Sequence, residues 1–136
     1  NDIASYLYEH NIVRPIQYTQ HHHSHAAYAY YTQPHDNCAV ICLDSIGEFE
    51  TLTIWHGKNN KLKKIYSQSY PHSPGLFYSA MTQRVGGVAQ RDEYMIAGLG
   101  KDHNPEYYRS AMMDELILKM PSASDPAWKF KTNLHC

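Results

Sequence analysis

The stretch Cys38-Ala39-Val40-Ile41-Cys42-Leu43-Asp44 decides the fold class, because six apolar residues run without a break into a carboxylate. A run this short reads as a strand, and its unbroken apolarity predicts one buried on both faces in the middle of a sheet. Cys38 and Cys42, four residues apart on one face of such a strand, read as small buried hydrophobes.

Upstream, His21 to Tyr31 carries Ala26, Ala27 and Ala29 with neither Gly nor Pro, which predicts a helix with Thr19 near its N-cap and Pro34 beyond its end. Ile16-Gln17-Tyr18-Thr19 alternates apolar and polar residues and predicts a short strand. Asp2 to His10 places Ile3, Tyr6 and Leu7 at helical spacing before Asn11, a common helix stop.

Downstream, Phe49 to Trp55 and Leu62 to Tyr70 are β-rich and flank the polar turn His56 to Lys61, so an antiparallel three-stranded meander is expected. Pro71 to Pro74 reads as a loop. Gly75 to Val85 reads as a helix stopped by Gly86-Gly87, and Glu106 to Met120 as a final helix. Pro121 to Pro126 reads as a linker or long loop. The class is α/β: a mixed sheet containing the meander, flanked by helices.

Composition narrows the functional classes. The 136 residues hold twelve basic and thirteen acidic side chains, a net charge of -1. That balance offers no footprint for sequence-independent nucleic-acid or membrane binding. The three cysteines show no C-x-x-C spacing, which argues against a disulfide framework or a cysteine zinc knuckle. No apolar stretch approaches the ~20 residues that span a bilayer, and the expected location is the cytoplasm. The chain starts without Met and stops on Leu134-His135-Cys136 without a closing element, so it reads as a fragment.

The ten histidines are the real bias, and His21 and His25 are its sharpest feature. One helical turn apart, they fall on one face about 5–6 Å apart at Cβ, the frame of H-x-x-x-H metal sites. His22 stands where a zinc protease carries its glutamate, so peptide hydrolysis is not expected; His22 and His23 point to other faces. The positive end of the helix disfavours imidazolium and keeps the rings neutral for coordination. Asp44, at the end of the buried strand, completes a set of two imidazoles and one carboxylate suited to iron, manganese or zinc. After it, Ser45-Ile46-Gly47-Glu48 joins two strands; a positive φ at Gly47 would let successive amides form an anion-binding nest.

These motifs occur in a particular order: His21-His22-His23-Ser24-His25-Ala26-Ala27, then Asp44-Ser45-Ile46-Gly47-Glu48, then Pro71-His72-Ser73-Pro74-Gly75-Leu76-Phe77-Tyr78-Ser79, then Glu93-Tyr94 and Gly98-Leu99. Together they resemble the NodU/CmcH-type O-carbamoyltransferases over roughly residues 21–100. The resemblance implies a ribonuclease-H-like, actin-like (ASKHA) fold. Residues 1–120 would be part of the carbamoyltransferase N-terminal domain, one piece of a two-lobed unit, and 121–136 a truncated loop or linker.

It further implies that His21, His25 and Asp44 hold Fe(2+), with Mn or Zn as alternatives, and that the ion contacts nucleotide phosphates cradled by Ser45, Ile46, Gly47 and Glu48. The implied reaction moves a carbamoyl group from carbamoyl adenylate, made from ATP and carbamoyl phosphate in a YrdC-like domain, to the hydroxyl of a small molecule or sugar. Glu48 is the candidate general base and His72 a candidate catalytic or pocket residue. Two departures stand out: Ser45 replaces a family glycine, and Met95 a family lysine. The competing readings are a threonylcarbamoyl-type tRNA modification enzyme and a non-catalytic metal- or nucleotide-binding module.

Overall fold

The computed structural model describes residues 2–101 and 104–131. Its centre is a meander of three antiparallel strands, β1 (Cys38–Gly47), β2 (Glu50–Lys58) and β3 (Lys61–Ser69), in the order β1-β2-β3. Among the described residues the pairing is antiparallel throughout, so the mixed sheet expected from the sequence is not seen. Helix α1 (Ile3–Glu9) and helix α2 (His21–Tyr31) precede the sheet. Helices α3 (Pro74–Arg84), α4 (Glu93–Leu99) and α5 (Glu106–Glu115) follow it, and strands β4 (Ile117–Lys119) and β5 (Lys129–Phe130) pair into a small second sheet.

The core lies between α2 and one face of the meander. His22, Ala26 and Tyr30 recur every fourth residue, which puts them on one helical face, and all three are buried. Ala26 and Tyr30 pack with Val40 and Cys42 of β1 and Trp55 of β2. Val40 pairs with Trp55 and Cys42 with Thr53, so these side chains share the face that α2 covers. Gly57 admits the helix closely, since a Cβ there would stand 2.4 Å from the Tyr30 ring. The β2–β3 turn is Asn59-Asn60, both at positive φ (51° and 56°), a conformation whose twist matches that of the strands it joins.

Several expectations are corrected. The Cys38–Leu43 run is an edge strand, not a central one, and it is covered on one face only: Val40 and Cys42 are buried while Ile41 and Leu43 are 65% and 54% exposed. The apolar run is real, but among the described residues Ile41 and Leu43 are left exposed, and α3 meets the strand beyond them, at Asp44 and Ser45. Ile16–Thr19 forms no strand, and among the described residues none pairs with it. The helix expected over Glu106–Met120 stops at Glu115, and the chain pairs Ile117 with Phe130 instead. Helix α2 takes Gln20, not Thr19, as N-cap, without a side-chain cap bond.

Candidate metal centre

Helix α2 and strand β1 bring three donors together. Period two along β1 puts Asp44 on the same face as Val40 and Cys42, under α2. The β1–β2 register shifts between Leu43 and Gly47, and such an irregularity re-aims the side chains within it. His21 and His25 project from the first turns of α2. His21 Nε2 lies 2.7 Å from Asp44 Oδ2 and 3.0 Å from His25 Nε2, and His25 Nε2 lies 3.8 Å from Asp44 Oδ2.

These distances fit one ion. Donors about 2.1 Å from a metal are separated by roughly 3.0 Å at right angles and by roughly 3.4 Å at tetrahedral angles, and the three observed separations bracket those values. The convergence also poses a hydrogen-bonding problem. With at most one hydrogen, His21 Nε2 can serve either His25 or Asp44, whereas a cation among the three serves every lone pair at once. Burial pushes the Asp44 carboxyl up, but hydrogen bonds from His21 and from the Ser45 amide outweigh it and hold the group below the usual carboxylate range. It is thus ionised for coordination at neutral pH.

The supporting contacts explain the placement. The Ser45 amide donates to Asp44 Oδ1 at 2.7 Å. The Ser73 hydroxyl lies 3.1 Å from the Asp44 carbonyl and 2.7 Å from that of Ser45, and it also caps α3 by accepting from the Leu76 amide at 3.1 Å. A Cβ at Gly75 would meet Ser45 backbone atoms at 2.8 Å, so the first turn of α3 presses directly on the aspartate's peptide.

Gly47 differs in conformation from what the sequence suggests. Its φ is not positive; the left-handed residue is Glu48, at φ 60°. What Gly47 supplies is space, because a Cβ there would stand 2.4 Å from the His21 ring and 2.7 Å from the His22 ring. β1 runs through Gly47, and the β1–β2 connection shrinks to Glu48-Phe49. Of the expected phosphate cradle, the Ser45 amide is already bonded to Asp44, Ile46 is exposed, and Glu48 stands exposed in the turn.

His22 is the residue that sequence reasoning underrated. It is completely buried, and its Nδ1 lies 2.9 Å from Thr53 Oγ1, which accepts the Trp55 indole N–H at 2.8 Å. Burial lowers its pKa, against the pull of Glu50 and Asp44, so the ring is neutral. His22 fixes the first turn of α2 against β2 and thereby aims its neighbour His21. The four-residue spacing of His22, Ala26 and Tyr30 was the available signal. His23 stacks on Trp55 with ring centroids 5.3 Å apart.

His72 is tied to β2, β3 and β5. Its Nδ1 accepts from the Phe130 amide at 3.3 Å, and its carbonyl accepts from Thr51 Oγ1 at 2.8 Å and from the Gln68 side-chain amide. Its contacts fasten β5 to the meander; none of them reaches the three donors.

Fold and site thus define an α/β unit that carries two imidazoles and a carboxylate at the junction of a helix and an edge strand. The comparison with known families supplies the lineage. The chain belongs to the family described as carbamoyltransferase N-terminus, whose model matches residues 4–134. It is also similar to an uncharacterised protein, sll1178, of Synechocystis sp., at 38% identity over 103 residues, covering 76% of this chain and 17% of that relative. The chain therefore spans about a sixth of the length of that relative. Among the described residues, no helix is long and apolar enough to cross a membrane.

Proposed function

We propose that this chain carries the metal-binding part of a cytoplasmic O-carbamoyltransferase, which moves a carbamoyl group from carbamoyl adenylate, made from ATP and carbamoyl phosphate, to the hydroxyl of a small-molecule or sugar acceptor. The observation that carries the reading is the convergence of His21, His25 and Asp44 in a chain of the carbamoyltransferase family. His21, His25 and Asp44 would hold the ion, with iron as the first choice and manganese or zinc as alternatives. When bound, the ion would supply charge neutralisation for the nucleotide phosphates.

The chain's own residues do the rest. His22 and Gly47 set the orientation of the His21 ring, the Ser45 amide holds the Asp44 carboxylate, and the Ser73 hydroxyl holds the Asp44 carbonyl. Ser45, Ile46, Gly47 and Glu48, which follow Asp44 directly in the chain, would line the place where the nucleotide lies. Glu48, exposed in the turn, would take the proton of the acceptor hydroxyl as its oxygen attacks the carbamoyl carbon, the bond from that carbon to the phosphate oxygen breaking so that AMP leaves with the electron pair. His72 acts through placement, by fastening the 72–75 loop that carries Ser73.

The unit would be one piece of a ribonuclease-H-like, actin-like enzyme. A second lobe and a YrdC-like domain elsewhere in the protein would supply the rest of the nucleotide cleft and the adenylate.

The test uses the full-length protein. Metal analysis is expected to find stoichiometric metal, and His21→Ala, His25→Ala and Asp44→Ala each to lower metal affinity by roughly 100-fold or more, carbamoyl transfer falling with it. Full transfer activity in a rigorously metal-free preparation would overturn the proposal.

A further inference from the structure

The face of the meander turned away from α2 carries an unbalanced charge at one end. Lys58 stands directly opposite Lys61, and His56 directly opposite Lys63, across β2 and β3. Trp55 and Gly57 between them are buried, so the alternation along β2 puts His56 and Lys58 on the exposed side together with their partners. Like charges directly opposite one another destabilise a sheet. Among the described residues none of these three lysines forms an ion pair, whereas Lys64 is paired with Glu50 at 2.7 Å. Asp36, the acidic side chain beside the turn, gives its Oδ1 to the Asn60 amide at 3.1 Å and to the Tyr30 hydroxyl at 3.2 Å.

Lysines along β3 have an ordinary explanation, because charge on an edge strand deters pairing with other chains. That explanation does not reach His56 and Lys58, which stand on β2, the central strand, with no free edge to guard. What the four side chains share is a hollow of about 380 Å³, lined by His56, Lys58, Asn59, Lys61 and Lys63. His56 Nε2 lies 2.8 Å from Asn37 Oδ1, which fixes the ring at the wall of that hollow.

We propose that this hollow binds a short polyphosphate group, as free pyrophosphate or tripolyphosphate or as the phosphate end of a nucleotide. Opposed side chains stand about 5 Å apart at Cβ, and alternate residues about 7 Å apart along a strand. One or two phosphate groups fill that footprint, and an anion among the ammonium groups removes their mutual repulsion. A nucleic acid needs a basic surface that continues, but beyond His56 the same face carries Ile54 and its partner Ile41. The site is distinct from the candidate metal centre. Leu52, which pairs with the residue before Asp44, is separated from Lys58 by roughly 20 Å of extended strand. Binding there does not depend on the proposed reaction.

Amine acetylation of the full-length protein, read residue by residue by mass spectrometry, tests the site. Pyrophosphate at about ten times its Kd should slow the labelling of Lys58, Lys61 and Lys63 roughly tenfold and leave the exposed Lys101 unchanged. Equal protection by tripolyphosphate and ATP identifies the phosphates alone as the ligand, and tighter protection by ATP identifies a nucleotide; either supports the site. Labelling unaffected by all three would overturn the proposal. So would equal protection by sodium chloride at matched ionic strength, which is general screening, or protection by phosphatidylserine vesicles or RNA but not by the polyphosphates.

Substitutions give an independent reading. Lys58→Gln with Lys61→Gln should raise the apparent Kd measured at Lys63 by about tenfold or more. The unliganded unfolding midpoint should stay the same or rise, because repulsion across the strands is relieved. Lys101→Gln with Lys129→Gln removes the same charge elsewhere and should leave that Kd unaltered. Equal weakening by the two double variants, or a lowered midpoint in the first, would count against the site. Should the first variant fail to fold, the labelling of the unaltered protein still decides.

Discussion

At the residue scale, the absence of a side chain at Gly47 matters as much as the imidazoles themselves. Gly47→Ala adds one methyl group 2.4 Å from the exposed His21 ring and 2.7 Å from the buried His22 ring. His22 cannot move without breaking its bond to Thr53, so His21 must give way and leave the position it shares with His25 and Asp44. The expected result is a loss of about 1–3 kcal/mol of stability from overpacking, with metal affinity reduced by at least roughly tenfold in a titration of the folded variant. Unchanged affinity would mean that the His21 ring is held from elsewhere.

Titration at the residue scale is clearest for Glu50. Burial pushes its carboxyl up, but hydrogen bonds from Lys64, at 2.7 Å, and Ser67, at 2.6 Å, outweigh that and hold it below its ordinary value of 4.5. A carboxylate with a depressed folded pKa stabilises fully above its unfolded value, and that contribution disappears as pH falls from about 4.5 through the folded value. Glu50→Gln should therefore cost about 1 kcal/mol near pH 7 and flatten the acid limb of a stability-against-pH curve measured by denaturant titration. An unaltered acid limb would exclude Glu50 as a source of that dependence.

At the element scale, Ser73 joins the two halves of the site. Its hydroxyl caps α3 and at the same time reaches the carbonyls of Asp44 and Ser45, so helix and strand end are held by one oxygen. Ser73→Ala removes the cap, worth about 1 kcal/mol, and frees the Asp44 peptide. Thermal unfolding should show the stability loss, and metal titration a weaker site, even though Ser73 donates no ligand. Unchanged metal affinity in the folded Ser73→Ala variant would mean that the Asp44 peptide is held from elsewhere.

The other elements show which parts of the sequence could be read locally. Helix α2 is found over His21–Tyr31 as expected, because its alanines and lack of breakers act within a few residues. The meander is found for the same reason, its β2–β3 turn being fixed by two asparagines that tolerate positive φ. The helix expected over Glu106–Met120 fails at its end, since Ile117 is taken by the distant Phe130 and no local signal announces that partner.

At the scale of the whole molecule, the three candidate ligands were legible because two depend on a helical repeat and the third on a strand end, and the motif order joined them. By itself the sequence determined the α/β class, the helix bearing His21 and His25, the meander and the family. Each is set by local propensity or by pattern along the chain. Only the tertiary structure decided that β1 lies at an edge, that His22 is the buried anchor of the site, and that Gly47 serves by leaving space rather than by its φ. Those outcomes depend on which surfaces meet across 20 or more residues, as when His22 reaches Thr53 and Gly47 meets His21. Propensity carries no record of such meetings, because burial and close approach are properties of the packed pair.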